Sequence, residues 1–305
     1  MSIDIVSFEE GEAVLDWLSV ARAIEEAHRL PRPIMEDVIL RRGPDTLLNR
    51  SAWIDGLGIA VKAATVFPGN GAKGLPTIGG AVNLMSDEDG TLEAVIDFAL
   101  VTKWKTAGDS LLGALKLARP DSHNVLIVGA GTVARTLVDA YGAGFPGARF
   151  TVWSRTRASA EALAAECPGV TVADDLEAAV RAADIVTTCT MATEPIVRGD
   201  WLRPGTHLDM IGAYRPDMRE ADDAALARAR LFCDSRKTAG ETGEFLRPIE
   251  SGAIGPDAVV ADLYEIDAMR RGSPDEITLY KNGGGAHLDL MVSRHVLTAW
   301  RAART

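Results

Sequence analysis

Residues Gly129-Ala130-Gly131-Thr132-Val133-Ala134 carry the pattern G-x-G-x-x-A, set between an apolar run, Val125-Leu126-Ile127-Val128, and an amphipathic one. The chemistry such a loop suits is the holding of a pyrophosphate. Gly129 makes a tight turn. Gly131, having no Cβ, lets the backbone approach a phosphate, and Ala134 permits close packing of helix on strand. The helix opening at Thr132 offers free N–H groups and a partial positive charge. Gly129, Ala130, Gly131, Thr132 and Val133 are therefore placed on a dinucleotide. The second strand of the same unit ends at Trp153-Ser154-Arg155-Thr156-Arg157. No acid stands there to accept from a ribose 2′-hydroxyl, whereas two guanidinium groups and two hydroxyls stand ready to donate. Guanidinium meets phosphate with a planar fork of donors. Ser154, Arg155, Thr156 and Arg157 are thus expected at a 2′-phosphate, and NADP(H) is expected over NAD(H).

Lys62 poses a different problem, because it lies in the apolar run Ile59-Ala60-Val61-Lys62-Ala63-Ala64. An unpaired ammonium is expensive to bury, so it either reaches solvent or lines a polar pocket. His28, His123, His207, His287 and His295 are scattered and join no cysteine cluster, so no metal site is expected. Cys167, Cys189 and Cys233 stand in apolar text and are expected as reduced, buried thiols.

The elements that position these groups follow from periodicity and turn signals. Glu12 to Leu30 has helical spacing and stops at Pro31. Asp37 to Asp97 alternates short β-like runs with turns such as Arg42-Gly43-Pro44-Asp45, which predicts an antiparallel sheet. Thr102 to Leu117 reads as a helix. After Pro120, strands at 125–129, 149–154, 184–190, 206–212 and 230–235 alternate with helical segments. Tyr280 to Gly285 reads as a flexible turn, and a last helix runs from His287 to Arg304. The predicted class is α/β: a Rossmann-type doubly wound parallel sheet, plus an N-terminal α+β substrate and dimerisation domain completed by the C-terminal helix. The expected domains are 1–120 with 286–305, and 121–285.

The chain has 305 residues, 47 % hydrophobic and 25 % charged, with a net charge of −11. Acidity of that size argues against nucleic acid and anionic membrane as partners. No apolar run reaches the roughly 18 residues of a membrane span. The acidic opening Met1-Ser2-Ile3-Asp4 is unlike a secretory signal, and a cytoplasmic protein is expected.

Taken in order, several segments resemble the ornithine cyclodeaminase/μ-crystallin family. They are Lys62 with Phe67-Pro68-Gly69-Asn70, Gly74-Leu75-Pro76-Thr77, Thr102-Lys103-Trp104-Lys105-Thr106-Ala107, the glycine loop, Trp153-Ser154-Arg155-Thr156, Ile211-Gly212-Ala213 with Arg215-Pro216-Asp217, and Lys281 followed by Gly284, Ala286 and Asp289. The resemblance covers nearly the whole chain. It implies a homodimer acting at the Cα–N bond of an amino acid or its imine. It implies that Lys62 contacts substrate carboxylate or amine, that Thr77 contacts substrate or nicotinamide, and that Thr106 contacts cofactor. Thr190, Met191, Ile211 and Gly212 are assigned to the cofactor as well, and Gly284 to the substrate. Asp289 reads equally well as an acid favoured by a helix dipole.

Three positions depart from the family. Tyr214 stands where the cyclodeaminase branch has an Asp, and a phenol with an ordinary pKa near 10 is a poor base. Lys105 replaces a carboxylate-binding Arg, keeping the charge and losing the fork. The early substrate Arg falls near Met35 or Glu36, with Arg50 a candidate for the missing charge. The catalytic set is therefore Lys62, Thr77, Lys105 and Tyr214, with Arg50, Lys62, Lys105 and Gly284 on the substrate. The expected activity is NADPH-dependent reduction of an amino-acid ketimine of the Δ1-pyrroline-2-carboxylate or Δ1-piperideine-2-carboxylate type. The alternatives are an ornithine cyclodeaminase or amino-acid dehydrogenase using Tyr214 or Asp209, and an NADPH-binding protein with little catalysis.

Overall fold

Strand alternation in residues 34–97 sorts side chains onto two faces. The computed structural model describes residues 3–305, the Thr238 side chain apart. Among them β1 (Asp4–Val6), β2 (Ile34–Arg42), β3 (Asp45–Ile54), β4 (Gly58–Val66), β5 (Ile78–Met85) and β6 (Leu92–Asp97) form one sheet in the order β1-β6-β5-β4-β3-β2. Its pairings are antiparallel except β1 with β6. In β4 the alternation buries Gly58, Ala60, Lys62 and Ala64 on one face. Small residues beside Lys62 leave room for its stem. The helix α10 (Ala286–Ala302) packs on β3, β4 and β5. The N-terminal helical text resolves into α1 (Phe8–Glu12) and α2 (Trp17–Ala27), because Asp16 caps a new helix by accepting from the Ser19 N–H (2.8 Å). The expected helix over Glu12–Leu30 is thus the shorter Trp17–Ala27, and a separate short helix precedes it.

The long helix α3 (Phe98–Leu117) starts four residues before the expected Thr102. Contacts divide the chain within it. One unit reaches to Lys105 and takes in Gly285–Thr305, and the other is Thr106–Gly284.

In the second unit, apolar strands alternate with helices, the pattern of a parallel sheet covered on both faces. The elements are β7 (Asn124–Val128), α4 (Thr132–Gly144), β8 (Arg149–Trp153), α5 (Arg157–Glu166), β9 (Thr171–Val172), α6 (Leu176–Ala182), β10 (Ile185–Thr188), β11 (His207–Met210), α7 (Asp223–Arg228), β12 (Arg230–Cys233), α8 (Arg236–Ala239), α9 (Gly243–Glu250), β13 (Val259–Asp262) and β14 (Thr278–Lys281). The sheet order is β13-β12-β14-β11-β10-β7-β8-β9, every pairing parallel. The Rossmann-type class holds.

Two expectations are corrected. Tyr280 and Lys281 do not belong to a flexible turn: they end β14, a central strand buried between β11 and β12. The glycines that follow masked a strand only four residues long. Of the cysteines, only Cys233 is buried. Cys167 caps the surface helix α5, and Cys189 faces the cavity described below, so both are partly exposed. No helix among the described residues is long and apolar enough to cross a membrane.

Candidate functional site

The second sheet reverses direction between β7 and β10, running to β9 on one side and to β13 on the other. Loops leaving the strand ends at such a point diverge and open a crevice. Here it is a cavity of about 260 Å³ lined by Gly129, Ala130, Ser154, Arg155, Thr156 and Thr190, among others. Gly129 has φ of +121°, and a Cβ on it would lie 2.9 Å from Cys189 Sγ, so only glycine fits. A Cβ at Gly131 would meet nothing within 4 Å, which leaves open space where a phosphate would approach. Gly131 caps α4 without any side-chain bond to the first turn, so the N–H groups from Thr132 onward remain for an anion. The residues present therefore fit a dinucleotide.

At the end of β8, Arg155 is exposed along this cavity beside Ser154 and Thr156. Arg157 is set differently. It lies in the first turn of α5 and pairs with Glu161 (2.7 Å) and with Asp174. Met191 is exposed at the cavity wall. The Ile211 N–H donates to the Thr188 carbonyl (2.9 Å), and Thr190 and Gly212 share the carboxylate of Glu220. The Thr106 carbonyl accepts from Asn282 Nδ2 (2.9 Å), and the Gly284 N–H donates to Asp234 (2.7 Å). Tyr214 stands exposed after β11, with the Arg215 guanidinium 5.6 Å from its ring centre. Asp209 is engaged within the core of the second unit. It is fully buried and accepts from Ser110 (3.0 Å), Tyr141 (2.9 Å) and Thr187 (2.7 Å). Burial raises its carboxyl, the three hydroxyls pull it back, and it settles at about 6.

The first unit holds a second cluster. Lys62 is 4 % exposed; its ammonium donates to Thr102 Oγ1 (2.8 Å) and to Asp289 Oδ1 (3.0 Å) and lies 4.5 Å from the Phe98 ring centre. Lys105, also buried, reaches the same Asp289 oxygen at 2.8 Å. Arg50 sits opposite Lys62 in the strand register and pairs with Asp37 at 3.0 Å. Burial pulls the Asp289 carboxyl upward, but Lys105, Lys62 and Arg50 outweigh it and hold the group at about 2. Burial lowers Lys105; Asp289 opposes this, Lys62 and Arg50 add to it, and the ammonium titrates at about 7. His28 and His287 lie edge to face behind this cluster, with ring centres 5.3 Å apart. Burial, then His28 and Lys105, keep His287 well below the ordinary imidazole range. Thr77 does not join the cluster. It is exposed before β5, and its carbonyl accepts from the Phe67 N–H (2.8 Å).

A doubly wound sheet with a glycine cradle, joined to an α+β unit that buries two lysines on one carboxylate, defines a two-unit protein of the dinucleotide-binding Rossmann class. Residues 54–304 match the Ornithine cyclodeaminase/mu-crystallin family, and the chain belongs to that family. It is 50 % identical over 300 residues to a Delta(1)-pyrroline-2-carboxylate reductase of Paracoccus denitrificans, covering 95 % of each chain. It is 35 % identical over 250 residues to the ketimine reductase mu-crystallin of Mus musculus, covering 81 % of this chain and 77 % of that one. Among solved structures it is similar to the Thermococcus litoralis Delta(1)-pyrroline-2-carboxylate reductase in complex with NADH and L-proline. The TM-score there is 0.87 at 25 % identity, covering 99 % of this chain and 98 % of the other. An archaeal alanine dehydrogenase dimer with bound NAD gives a TM-score of 0.90 at 28 % identity, covering 100 % and 98 %.

The sequence offers Asp289 as part of the family-like closing segment or as a helix-start acid, without a partner for it, and does not single out Asp37, Glu220 or the His28–His287 pair. A carboxylate on the buried face of a closing helix was the available signal for Asp289.

Removing Asp289 tests the cluster. Asp289→Leu leaves two buried ammonium groups without their shared acceptor and is expected to cost about 3–5 kcal/mol in denaturant unfolding. A loss below about 1 kcal/mol, the worth of an exposed pair, would show that water satisfies the lysines.

Proposed function

We propose that the chain is an NADPH-dependent reductase of an amino-acid ketimine of the Δ1-pyrroline-2-carboxylate or Δ1-piperideine-2-carboxylate type. The convergence of two buried lysines on one carboxylate carries this reading. Lys62 and Lys105 both reach Asp289 Oδ1, and Asp289 stays ionised between them. A carboxylate on the substrate is a second acceptor for the pair. The similarity to a pyrroline-2-carboxylate reductase at 50 % identity supports the imine as the partner of that carboxylate.

A bound nicotinamide dinucleotide supplies the hydride that the imine carbon takes up. The chain's own task is to bind and to aim. Lys62 and Lys105 hold the substrate carboxylate, and Asp289 keeps both ammonium groups pointed at one place. An imine protonated on nitrogen is already electrophilic, so alignment is the main requirement and no strong side-chain base is needed. Tyr214 offers a phenol that can donate a hydrogen bond. Thr77 stays a proposed substrate contact from outside the lysine cluster, Gly284 a proposed substrate contact of the second unit and Thr106 a proposed cofactor contact.

The end of β8 supports NADP(H). It has no acid for a ribose 2′-hydroxyl, and Arg155 lines the cavity with Ser154 and Thr156. Because carboxylates already engage the Arg157 guanidinium, Arg155 is the residue assigned to a 2′-phosphate. The exposed Ile34, Val38, Ile39 and Leu40 of β2 support a second copy of the chain against the first unit's sheet.

The purified chain is expected to oxidise NADPH in the presence of Δ1-pyrroline-2-carboxylate. A charge-assisted hydrogen bond is worth about 1.5–3 kcal/mol, or roughly tenfold to a hundredfold. Lys62→Ala should lose that much in kcat/KM, and Arg155→Ala should lose as much of the preference for NADPH over NADH. Normal turnover in Lys62→Ala removes the lysine from the mechanism. Ammonia release from ornithine without net cofactor oxidation replaces the reductase with a cyclodeaminase. Light scattering checks the assembly: a dimer is expected, and Val38→Asp with Leu40→Asp should give monomer. A monomeric wild type contradicts it.

A further inference from the structure

Two buried carboxylates that the proposed reaction does not use lie behind the strand ends of the second unit. Glu220 is fully buried. Its Oε1 accepts from the Thr190 N–H (2.6 Å) and the Thr190 hydroxyl (2.7 Å), and its Oε2 accepts from the Gly212 N–H (2.6 Å). Thr190 follows β10 and Gly212 follows β11, and these strands are neighbours. One carboxylate therefore spans two adjacent strand ends. The approach is close: a Cβ on Gly212 would sit 1.9 Å from the Thr190 carbonyl oxygen and 2.6 Å from Glu220 Oε1.

The main chain around Glu220 extends this brace. Its carbonyl accepts from the Ile196 (2.8 Å) and Val197 (2.9 Å) N–H groups, and the Arg219 N–H donates to the Ala192 carbonyl (2.8 Å). Thr190, Met191, Ala192 and Ile196 are one wall of the dinucleotide cavity, so that wall hangs on residues 219–221. Glu244, at the start of α9, anchors this segment by accepting from the Glu220 and Ala221 N–H groups, each at 2.9 Å. The buried Lys281 ammonium donates to the Met210 and Asn282 carbonyls, each at 2.8 Å, and fixes the ends of β11 and β14. Burying these charges is costly, and apolar side chains fill a core more cheaply. A carboxylate alone takes three donors from two strands at fixed, short distances.

We propose that Glu220 is a positioning residue. It sets the spacing of the β10 and β11 ends against which the nicotinamide half of a bound dinucleotide lies, and so fixes its aim. The adenosine half keeps contacts of its own, Gly129 to Val133 and Ser154 to Thr156, in the cavity that Thr190 to Ala192 also line. This assignment rests on reading the chain as a hydride-transferring reductase.

The test compares the full chain with Glu220→Gln and Glu220→Asp. Gln keeps the shape and turns a donor toward a donor, whereas Asp keeps the charge and is too short to span both strands. Calorimetry measures NADP+ and 2′-phospho-ADP-ribose, which lacks nicotinamide, with NAD+ and ADP-ribose in parallel. Steady-state kinetics gives kcat and KM with the imino acid. In Glu220→Gln, kcat is expected to fall about tenfold to a hundredfold, as for a small misplacement of reacting groups. The imino-acid KM should stay within about twofold, as for a group Glu220 does not touch, and the nicotinamide-free fragment should lose less affinity than the whole dinucleotide. The affinity advantage of the whole dinucleotide over the fragment should shrink. An unchanged kcat overturns the proposal, and so does an equal loss of fragment and dinucleotide binding, which marks a general structural role. If Glu220→Gln does not fold, Glu220→Asp decides by the same outcomes. A wild type that binds dinucleotide yet reduces no imine ends the reductase reading alone, and the fragment comparison still decides Glu220.

Discussion

Two ammonium groups buried side by side repel each other and lose their hydration, and neither loss is tolerable without a compensating charge. In this chain both Lys62 and Lys105 meet that condition on one oxygen, Asp289 Oδ1. The first unit is organised around this requirement. Alternation in β4 turns Lys62 inward among small residues, and α10, contributed by the far end of the chain, brings Asp289 to it. The arrangement is held at a partial balance: burial and the neighbouring cations leave Lys105 titrating at about 7 while Asp289 stays ionised to about 2. A site poised in this way is the basis for proposing that the lysine pair takes up a substrate carboxylate.

The second unit meets a related constraint at its strand ends. Parallel strands deliver their C-terminal peptide groups to one edge, where a cofactor cavity interrupts the usual pairing partners. Glu220 and Lys281 take up such groups with side chains, and Glu244 holds the Glu220 segment behind them. The result is a cavity wall stiffened from behind by charge-assisted hydrogen bonds, with Gly129 and Gly212 passing where no larger residue fits. Preorganisation of this kind suits hydride transfer, whose rate depends on alignment.

Much of this was legible in the residues. The glycine loop, the strand–helix alternation and the acid-free end of β8 are local patterns, and local patterns fix a Rossmann unit well. Lys62 stood out because an ammonium in an apolar strand demands an explanation. Its partner did not, because Asp289 is 227 positions away and a helix-start acid has a sufficient local reason to exist. Glu220 was hidden similarly, in the acidic stretch Arg219-Glu220-Ala221-Asp222-Asp223, where it reads as surface charge. The strand β14 was lost to the glycines after it, although Ile277-Thr278-Leu279-Tyr280 carries the β-branched and aromatic residues of a buried strand. Asp209 was legible as an unusual acid within a strand, but only the fold shows its three hydroxyl donors. For Asp289, Glu220 and Asp209 the missing information was a long-range contact, which spacing along the chain does not encode.

The central claim is that the charge of Lys105, held near its titration point beside Asp289, helps bind the substrate carboxylate. The most direct measurement is the pH dependence of KM for Δ1-pyrroline-2-carboxylate in the wild type and in Lys105→Arg, whose guanidinium stays charged throughout. Lys105 is charged below about 7 and neutral above it, so the wild-type KM should rise as pH increases through that value. The ratio of wild-type to Lys105→Arg KM removes the titration of the imine itself and should show the same rise. A ratio that stays flat across pH 6 to 9, a range that spans the lysine's shifted value of about 7, would contradict the account.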